Sequence, residues 1–363
     1  MRAGPRLIAP MPYGGSRCLL PGSDSVSCVS MPSGGPEVLR IDQLPVEPPG
    51  PAEVGIAVDA IGLNRADVMF RRNTYIEKPV LPSRLGFEAV GRVTAFGPGV
   101  TGFRIGQRVS VVPGAPLAAH GTCADWVNVP IARVLPCPEG LSDIQAAALW
   151  MSYGTPYGAL IEVCGLSAGQ RVLITAANTT VGLAAIQIAR AVGAIPIGTV
   201  LTENLREPVQ QAGVEAVIVM ESANLAQGLR QSAPDGIDAA FDAVGGPQVA
   251  DIAGAMRPGG TIVIHGALSN EPTPFPLKLA LRKNLCLRGY YYTTVTDDPA
   301  ALSRAQAFLE EGIAAGIIAP RIDRCFALAD IDRAHAYLES GQQFGKVVVL
   351  TRPGRLNLDR PIP

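Results

Sequence analysis

The stretch VLITAANTTVGLAAIQIARAVGA, residues 172–194, reads as an apolar strand running into an amphipathic helix. Such a turn aims unpaired backbone N–H groups outward, and the helix dipole adds partial positive charge, so it can seat a phosphate. In the fingerprint G-x-G-x-x-G, the first two glycines allow a tight turn and close approach of backbone to pyrophosphate. The last permits close helix–sheet packing. Here Ala176, Asn178, Thr179 and Thr180 occupy the turn, followed by Val181, and only Gly182 keeps a glycine's place. Asn178, Thr179 and Thr180 are short polar residues that can hydrogen-bond a phosphate or cap the helix themselves. Local sequence leaves two readings open: a cofactor loop, or an ordinary strand–helix turn with Thr179 or Thr180 as its cap.

Metal chemistry has little to draw on. The three histidines, His120, His265 and His335, lack His-x-x-x-His spacing, and none of the seven cysteines are paired as C-x-x-C, so no metal site is expected. An odd set of scattered cysteines fits reduced, mostly buried thiols in a cytoplasmic protein. A net charge of −1 gives no electrostatic case for nucleic acid or an anionic membrane. No apolar run approaches the roughly 20 residues that span a bilayer. The Gly/Pro-interrupted N-terminus has no continuous apolar segment of the secretory kind. It reads as a flexible extension, with a transit peptide as the lesser alternative.

The elements that must position this chemistry fall into two styles. After an aperiodic stretch over residues 1–25, short strands with Pro/Gly punctuation follow one another from Ser33. In AEVGIAVDAIGLN, Val54, Ile56 and Val58 alternate onto one face. At SDIQAAALWMSYGTPYGALIEV the period turns helical, with Ser142 and Gln145 at capping-box spacing. From Arg171, apolar strands alternate with amphipathic helices, which implies a parallel sheet buried on both faces. A doubly wound nucleotide-binding fold satisfies that pattern. Two late helices and the strand GKVVVL are expected to pack back onto the β-rich region, leaving residues 352–363 as a flexible tail. At 363 residues the chain has room for two domains.

Six motifs in this order carry a family resemblance: AIGLNRADVMFRRNTY, LPSRLGFEAVGRV, GPGVTGFRIGQRVSVV, VLITAANTTVGLAAIQIA, FDAVGG and GKVVVL. From about Ser33 to Leu350 the chain resembles the medium-chain dehydrogenase/reductase superfamily, in its zinc-free quinone-oxidoreductase branch. The resemblance implies an α/β architecture of a GroES-like β-rich domain (residues 26–152 and 293–351) and a doubly wound Rossmann domain (residues 153–292). NADP(H) would lie between them. The branch's loop resembles A-A-x-x-x-V-G-x-A-A-I-Q, so the departure here is confined to Asn178, Thr179 and Thr180. Zinc-binding relatives carry Cys where Asn64 stands and His where Phe87 stands, and the four-cysteine lobe of a structural zinc is absent between Val112 and Cys123. Without a Lewis acid, oxidation of an unactivated alcohol is hard, whereas an electron-poor acceptor asks less of the protein.

The resemblance also implies roles for single residues. Asn64 and Tyr75 would face the nicotinamide and the substrate: Asn64 offers a donor and an acceptor, and Tyr75 can hydrogen-bond a developing oxyanion. The plain alternatives are a turn residue and a rim aromatic. Asp67 reads as structural; Glu88 reads equally as structural or functional. Thr155 would touch the nicotinamide or cap a helix. One of Tyr290, Tyr291 and Tyr292 would line the pocket. Val244 in FDAVGG, His265 and Ala267 follow strands at their carboxyl ends, where ligands bind in such sheets, and Lys346 would reach back toward the cofactor. After the second Rossmann strand, Thr202 fits a 2′-phosphate preference, Leu205 stands where a lysine is common, and Arg206 can substitute for it. Glu203 argues for NAD(H). The implied protein is an NADP(H)-dependent homodimer, with NAD(H) not excluded, that reduces a small-molecule quinone or α,β-unsaturated carbonyl. The alternatives are an enoyl-thioester reductase and a fold-retaining binding protein that has lost activity.

Overall fold

The computed structural model describes residues 25–222 and 224–351; the ends expected to be flexible lie outside these residues, apart from Ser25. Six strands form a wholly parallel sheet in the order Ala216–Val219, Ile195–Val200, Arg171–Ile174, Ile237–Asp242, Met256–Ile264, Cys286–Gly289. Val172, Leu173, Ile174, Ile197, Phe241 and Val263 are fully buried, as a sheet covered on both faces requires. The strand order reverses beside Arg171–Ile174, which opens a crevice at the carboxyl ends of that strand and Ile237–Asp242.

The second large sheet runs Ile322–Ala327, Lys346–Leu350, Glu53–Gly62, Glu88–Phe96, Arg108–Val111, Val134–Pro136, with Trp126–Pro130 also paired to Glu53–Gly62. Val54, Ile56 and Val58 are fully buried on one face, as their alternation requires. Lys346–Leu350 lies antiparallel to Glu53–Gly62, and Gly62 is in register with Glu88. That pairing brings the chain's C-terminal strand beside the ends of two early ones.

Three local readings change. The strand Ser25–Met31 pairs with Arg40–Pro45 and Ser83–Arg84 in a small third sheet; its serines disguise the apolar alternation of SVSCVSM. Leu277–Lys283 forms a helix that lies outside the expected strand–helix alternation. The helical period expected after Ser142 is realised irregularly: Asp143–Ala146 is one short turn, followed by wide π-type turns at Trp150–Gly154 and Tyr157–Val163. Pro156 stands between them with no N–H for a ladder bond. Ser142 does cap its helix, accepting the Gln145 N–H.

The late segments divide. Helix Ile331–Ser340 and strand Lys346–Leu350 join the β-rich unit through Ala334, Leu338, Val347 and Val349. Helix Pro299–Ala314 instead packs on Tyr157–Val163: the Phe308 and Tyr157 rings lie 5.2 Å apart, and Arg304 pairs with Glu162.

Candidate active site

The turn after Arg171–Ile174 is a tight one built without its first glycine. Ala176 takes φ 49°, the left-handed region that normally selects glycine. Thr199 holds it there: its Oγ1 accepts the Ala176 N–H at 3.2 Å and its carbonyl accepts the Ala177 N–H at 2.8 Å. Gly182 keeps the packing role. A Cβ there would lie 2.6 Å from the Ala176 carbonyl oxygen and 2.8 Å from Ala177 Cα, so the helix Thr180–Ala191 could not approach the turn.

The three polar loop residues divide the work. Thr179 caps the helix: its hydroxyl oxygen accepts the Gly182 N–H at 3.1 Å and donates to the Ala176 carbonyl at 2.9 Å. The Thr180 hydroxyl donates to the Gly345 carbonyl at 3.0 Å, tying the loop to the residue before Lys346. Asn178 is half-buried and makes no side-chain hydrogen bond among the described residues. With Thr179 and Thr180 engaged internally, the capacity to hold an anion rests on backbone N–H groups of the first helical turn, which include those of Thr180 and Val181.

Across the Thr180–Gly345 bond stands a buried polar cluster. Lys346 Nζ donates to Glu88 Oε1 at 2.6 Å, Asn64 Oδ1 at 2.7 Å and Ser152 Oγ at 3.2 Å. Lys346 and Glu88 are each 1% exposed and Asn64 8%. The other Glu88 oxygen accepts the Met151 N–H at 3.0 Å, and Thr155 donates to the Met151 carbonyl at 2.8 Å. The cluster fits only because residue 62 is glycine: a Cβ there would lie 2.0 Å from the Ala147 carbonyl oxygen and 2.9 Å from Lys346 Cε. Asp67, behind it, accepts the N–H groups of Asn64 (2.8 Å) and Gly86 (3.1 Å), a structural use of the carboxylate. Burial pushes the Asp67 carboxyl up to about 7, against the opposing pull of those N–H groups and of Lys346.

Thus Lys346 is not a free arm toward a cofactor. All three donors of its ammonium are spent within the protein. Thr155 spends its hydroxyl proton in the same way. Asn64 and Lys346 nevertheless share one hydrogen-bonded cluster, to which Thr155 is joined through the Met151 backbone and Thr180 through Gly345, the residue before Lys346.

Tyr75 lies beside this cluster in an aromatic group. Its ring is 5.5 Å from Phe87 and 6.2 Å from Tyr291, and Phe87 is 6.3 Å from Tyr292. The Tyr291 hydroxyl donates to that of Tyr292 at 3.2 Å. Burial pushes the Tyr75 phenol well above its ordinary range, with Tyr291 adding to the effect, so it stays a protonated donor. Tyr290 points elsewhere, its hydroxyl against Gly158, where a Cβ would lie 1.9 Å away.

At the carboxyl end of the central strand Ile237–Asp242, Asp242 is an unforeseen organiser. Its carboxylate accepts the Thr175 hydroxyl (2.7 Å), the Val244 and Gly245 N–H groups (3.0 and 2.9 Å) and the Gln248 amide (2.9 Å). An acid closing an apolar strand just before Gly-Gly was the available signal. Val244 is therefore fixed through its backbone. The His265 ring stacks on Phe241 at 3.8 Å between centroids, and the residue's backbone N–H donates to the Asp242 carbonyl at 2.9 Å. Burial lowers its imidazole to about 3, so the ring is neutral. Ala267 is exposed nearby. Thr202 and Arg206 sit apart, beyond Ile195–Val200. Thr202 donates to Asn204, while Arg206 grips Glu203 through Nε and Nη2 and the Val217 carbonyl through Nη1 at 3.1 Å.

The histidines are scattered: His120 bonds the Asn128 carbonyl, His265 lies on Phe241, and His335 is buried near Arg71. Among the described residues, no group of three or more His, Cys, Asp or Glu side chains could hold a metal ion.

Comparison with known proteins gives the frame. Residues 50–139 match the alcohol dehydrogenase GroES-like domain and residues 180–308 the zinc-binding dehydrogenase family. A quinone oxidoreductase of Pseudomonas aeruginosa is 33% identical over 325 residues, covering 87% of this chain and 97% of its own. The synaptic vesicle membrane protein VAT-1 homolog of Rattus norvegicus is 28% identical over 339 residues, covering 88% of this chain and 82% of its own. The crystal structure of Escherichia coli quinone oxidoreductase complexed with NADPH superposes with a TM-score of 0.82 at 28% identity, covering 89% of this chain and 99% of that one. The chain belongs to the medium-chain dehydrogenase/reductase superfamily, in its quinone oxidoreductase-like branch.

Proposed function

We propose that this protein is a zinc-independent, NADP(H)-dependent oxidoreductase that reduces a quinone or an α,β-unsaturated carbonyl compound. The observation that carries the reading is the turn from Ala176 to Gly182, where a glycine without room for a Cβ lets a helix N-terminus close over a tight loop at the switch point of a parallel sheet. The E. coli relative named above is a complex with NADPH. When bound, the dinucleotide supplies the hydride; the protein's part is positioning and electrostatics. Backbone N–H groups at Thr180 and Val181 would hold the pyrophosphate, and Val244, His265, Ala267, Thr155 and Asn64 would line the nicotinamide's place. Tyr75, held protonated, donates to the acceptor's developing oxyanion. The Asn64 amide and the Phe87 ring lack the thiolate and imidazole of a zinc site, which supports zinc independence. Arg206 would hold the 2′-phosphate in place of Glu203, its partner in this structure.

The GroES-like and Rossmann units are assigned to residues 26–152 with 293–351, and 153–292, except that helix Pro299–Ala314, packed on Tyr157–Val163, goes with the Rossmann unit. We further assign a cytoplasmic homodimer. Six free cysteines among the described residues fit a reducing compartment, and among the same residues Cys286–Gly289 is the unpaired edge of the parallel sheet. Among the described residues, no helix is long and apolar enough to cross a membrane. The rival reading, a binding protein without activity, draws on the internal engagement of Thr179, Thr180 and Arg206.

Titration with NADPH and NADH, followed by nicotinamide fluorescence, tests the reading, with a panel of quinones and enals next. Saturable NADPH binding and turnover of one acceptor class are expected. A folded protein that binds neither nucleotide would refute it in favour of the rival.

A further inference from the structure

The strand Glu53–Gly62 carries the polar cluster at its Gly62 end. Its Glu53 end lies roughly 30 Å away at about 3.3 Å per residue, and a cavity of about 220 Å³ opens there. Pairing with Trp126–Pro130 sets Gly55 opposite Asn128 and Ala57 opposite Trp126, so Glu53, Asn128 and Trp126 share one face. Gly55 leaves that face open: a Cβ there would lie 2.6 Å from Trp126 Cζ2. Several groups around the cavity are uncommitted. Asn128 Nδ2 donates to the Glu47 carbonyl at 2.9 Å, which fixes the amide's orientation. Its Oδ1 is buried and has no hydrogen-bond partner among the described residues, the mark of a missing donor. Glu53 Oε2 accepts the Gly50 N–H at 2.8 Å. Glu53 Oε1 stands 3.7 Å from His120 Nε2, beyond hydrogen-bond reach. The lining also holds Arg84 and the exposed Glu47. The Arg84 side chain makes one hydrogen bond among the described residues, from Nη1 to the Ala119 carbonyl at 3.2 Å, which leaves most of its donors unspent. Val26 and Pro45 add apolar surface, and the Trp126 N–H is spent on Thr94 at 2.8 Å.

We propose that this cavity binds a small zwitterion of the amino-acid type, with its ammonium on Glu53 and Asn128, its carboxylate on Arg84 and its apolar body against Val26, Pro45 and Trp126. An ammonium supplies the donors that Glu53 Oε1 and Asn128 Oδ1 lack. A carboxylate uses the free edge of the Arg84 guanidinium, a charge-assisted pairing. A simple amine would be repelled by Arg84, and a simple acid by Glu47 and Glu53. A molecule bearing both charges satisfies both sets. The site stands apart from the dinucleotide crevice and does not rest on the oxidoreductase reading.

The test is a ligand-observed NMR titration of the full chain with L-norvaline, and with butylamine and pentanoate, which each keep the apolar body and one of its charges. Variants are Glu53→Gln and Arg84→Met. Glutamine at position 53 keeps an acceptor for the Gly50 N–H while its NH₂ takes the place of Oε1. Loss of one hydrogen bond to a charged group corresponds to about 10-fold or more in Kd. L-Norvaline is expected to bind saturably, with either fragment weaker by that factor. Each variant should weaken L-norvaline by the same factor, with its circular dichroism unchanged. Absence of saturable L-norvaline binding to the wild type overturns the proposal. So does a fragment that binds as tightly as L-norvaline, because one charged partner would then contribute nothing. A folded variant that binds L-norvaline like the wild type overturns it as well. Should Glu53→Gln fail to fold, Arg84→Met and the two fragments decide.

Discussion

The Lys346–Glu88 pair should be expensive to break and cheap to delete. Its N–O distance is 2.6 Å with both side chains 1% exposed. At an effective dielectric of about 20, two unit charges at that separation attract by about 6 kcal/mol. Burying both ions opposes this with a penalty of several kcal/mol each, so the net value of the pair is small. Removing one partner leaves the other buried without its countercharge. Glu88→Gln and Lys346→Met should therefore each cost about 3–5 kcal/mol. Glu88→Gln has an added difficulty, because the Met151 N–H needs an acceptor where an amide NH₂ can stand. The double variant should cost far less than the sum, a positive coupling of about 3 kcal/mol in a double-mutant cycle. The assay is urea unfolding followed by circular dichroism, with thermal midpoints at one scan rate where refolding is incomplete. Single losses under about 1 kcal/mol, or an additive double variant, would refute the electrostatic account of the cluster.

Other consequences are local. Ala176→Gly should stabilise the protein by about 1 kcal/mol in the same unfolding assay, because glycine relieves the left-handed φ of 49°; a loss would mean that the alanine methyl packs more than the turn strains. Thr179→Ala should cost about 1 kcal/mol with Thr179→Ser nearly neutral, the pattern of a helix cap. Gly182→Ala should abolish dinucleotide binding in the fluorescence titration while circular dichroism remains, since the added Cβ meets backbone at 2.6 Å. For pH, burial and Arg71 lower the His335 imidazole from 6.5 to about 3. Between those values the unfolded chain binds a proton that the native one does not, so stability is lost as pH falls from 6.5 toward 3. His335→Leu should flatten that slope in unfolding curves taken across the window.

Much of this protein was legible along its length. Continuous apolar strands between amphipathic helices dictated the parallel sheet, and the alternation at Val54, Ile56 and Val58 dictated a half-buried strand. Both follow from the fixed periods of strand and helix, so a local window suffices. Gly182 and the small loop residues marked the turn, but the sequence left the cap open between Thr179 and Thr180. Only the geometry separated a cap from a residue tied to Gly345. The serine-masked strand Ser25–Met31 and the wide turns around Pro156 were hidden because their cues compete within a few residues.

The candidate site is mostly a tertiary fact. Lys346 and Asn64 are 282 positions apart, and Lys346 and Glu88 258. Their meeting depends on which strand pairs with which, and in what register. Side-chain period carries no record of that choice. The sequence determined the residues' types and the elements that carry them. The fold decided that Lys346 turns inward onto Asn64 and Glu88, and that Arg206 holds Glu203, because a side chain's chemistry is set by the partners that packing leaves within hydrogen-bond distance.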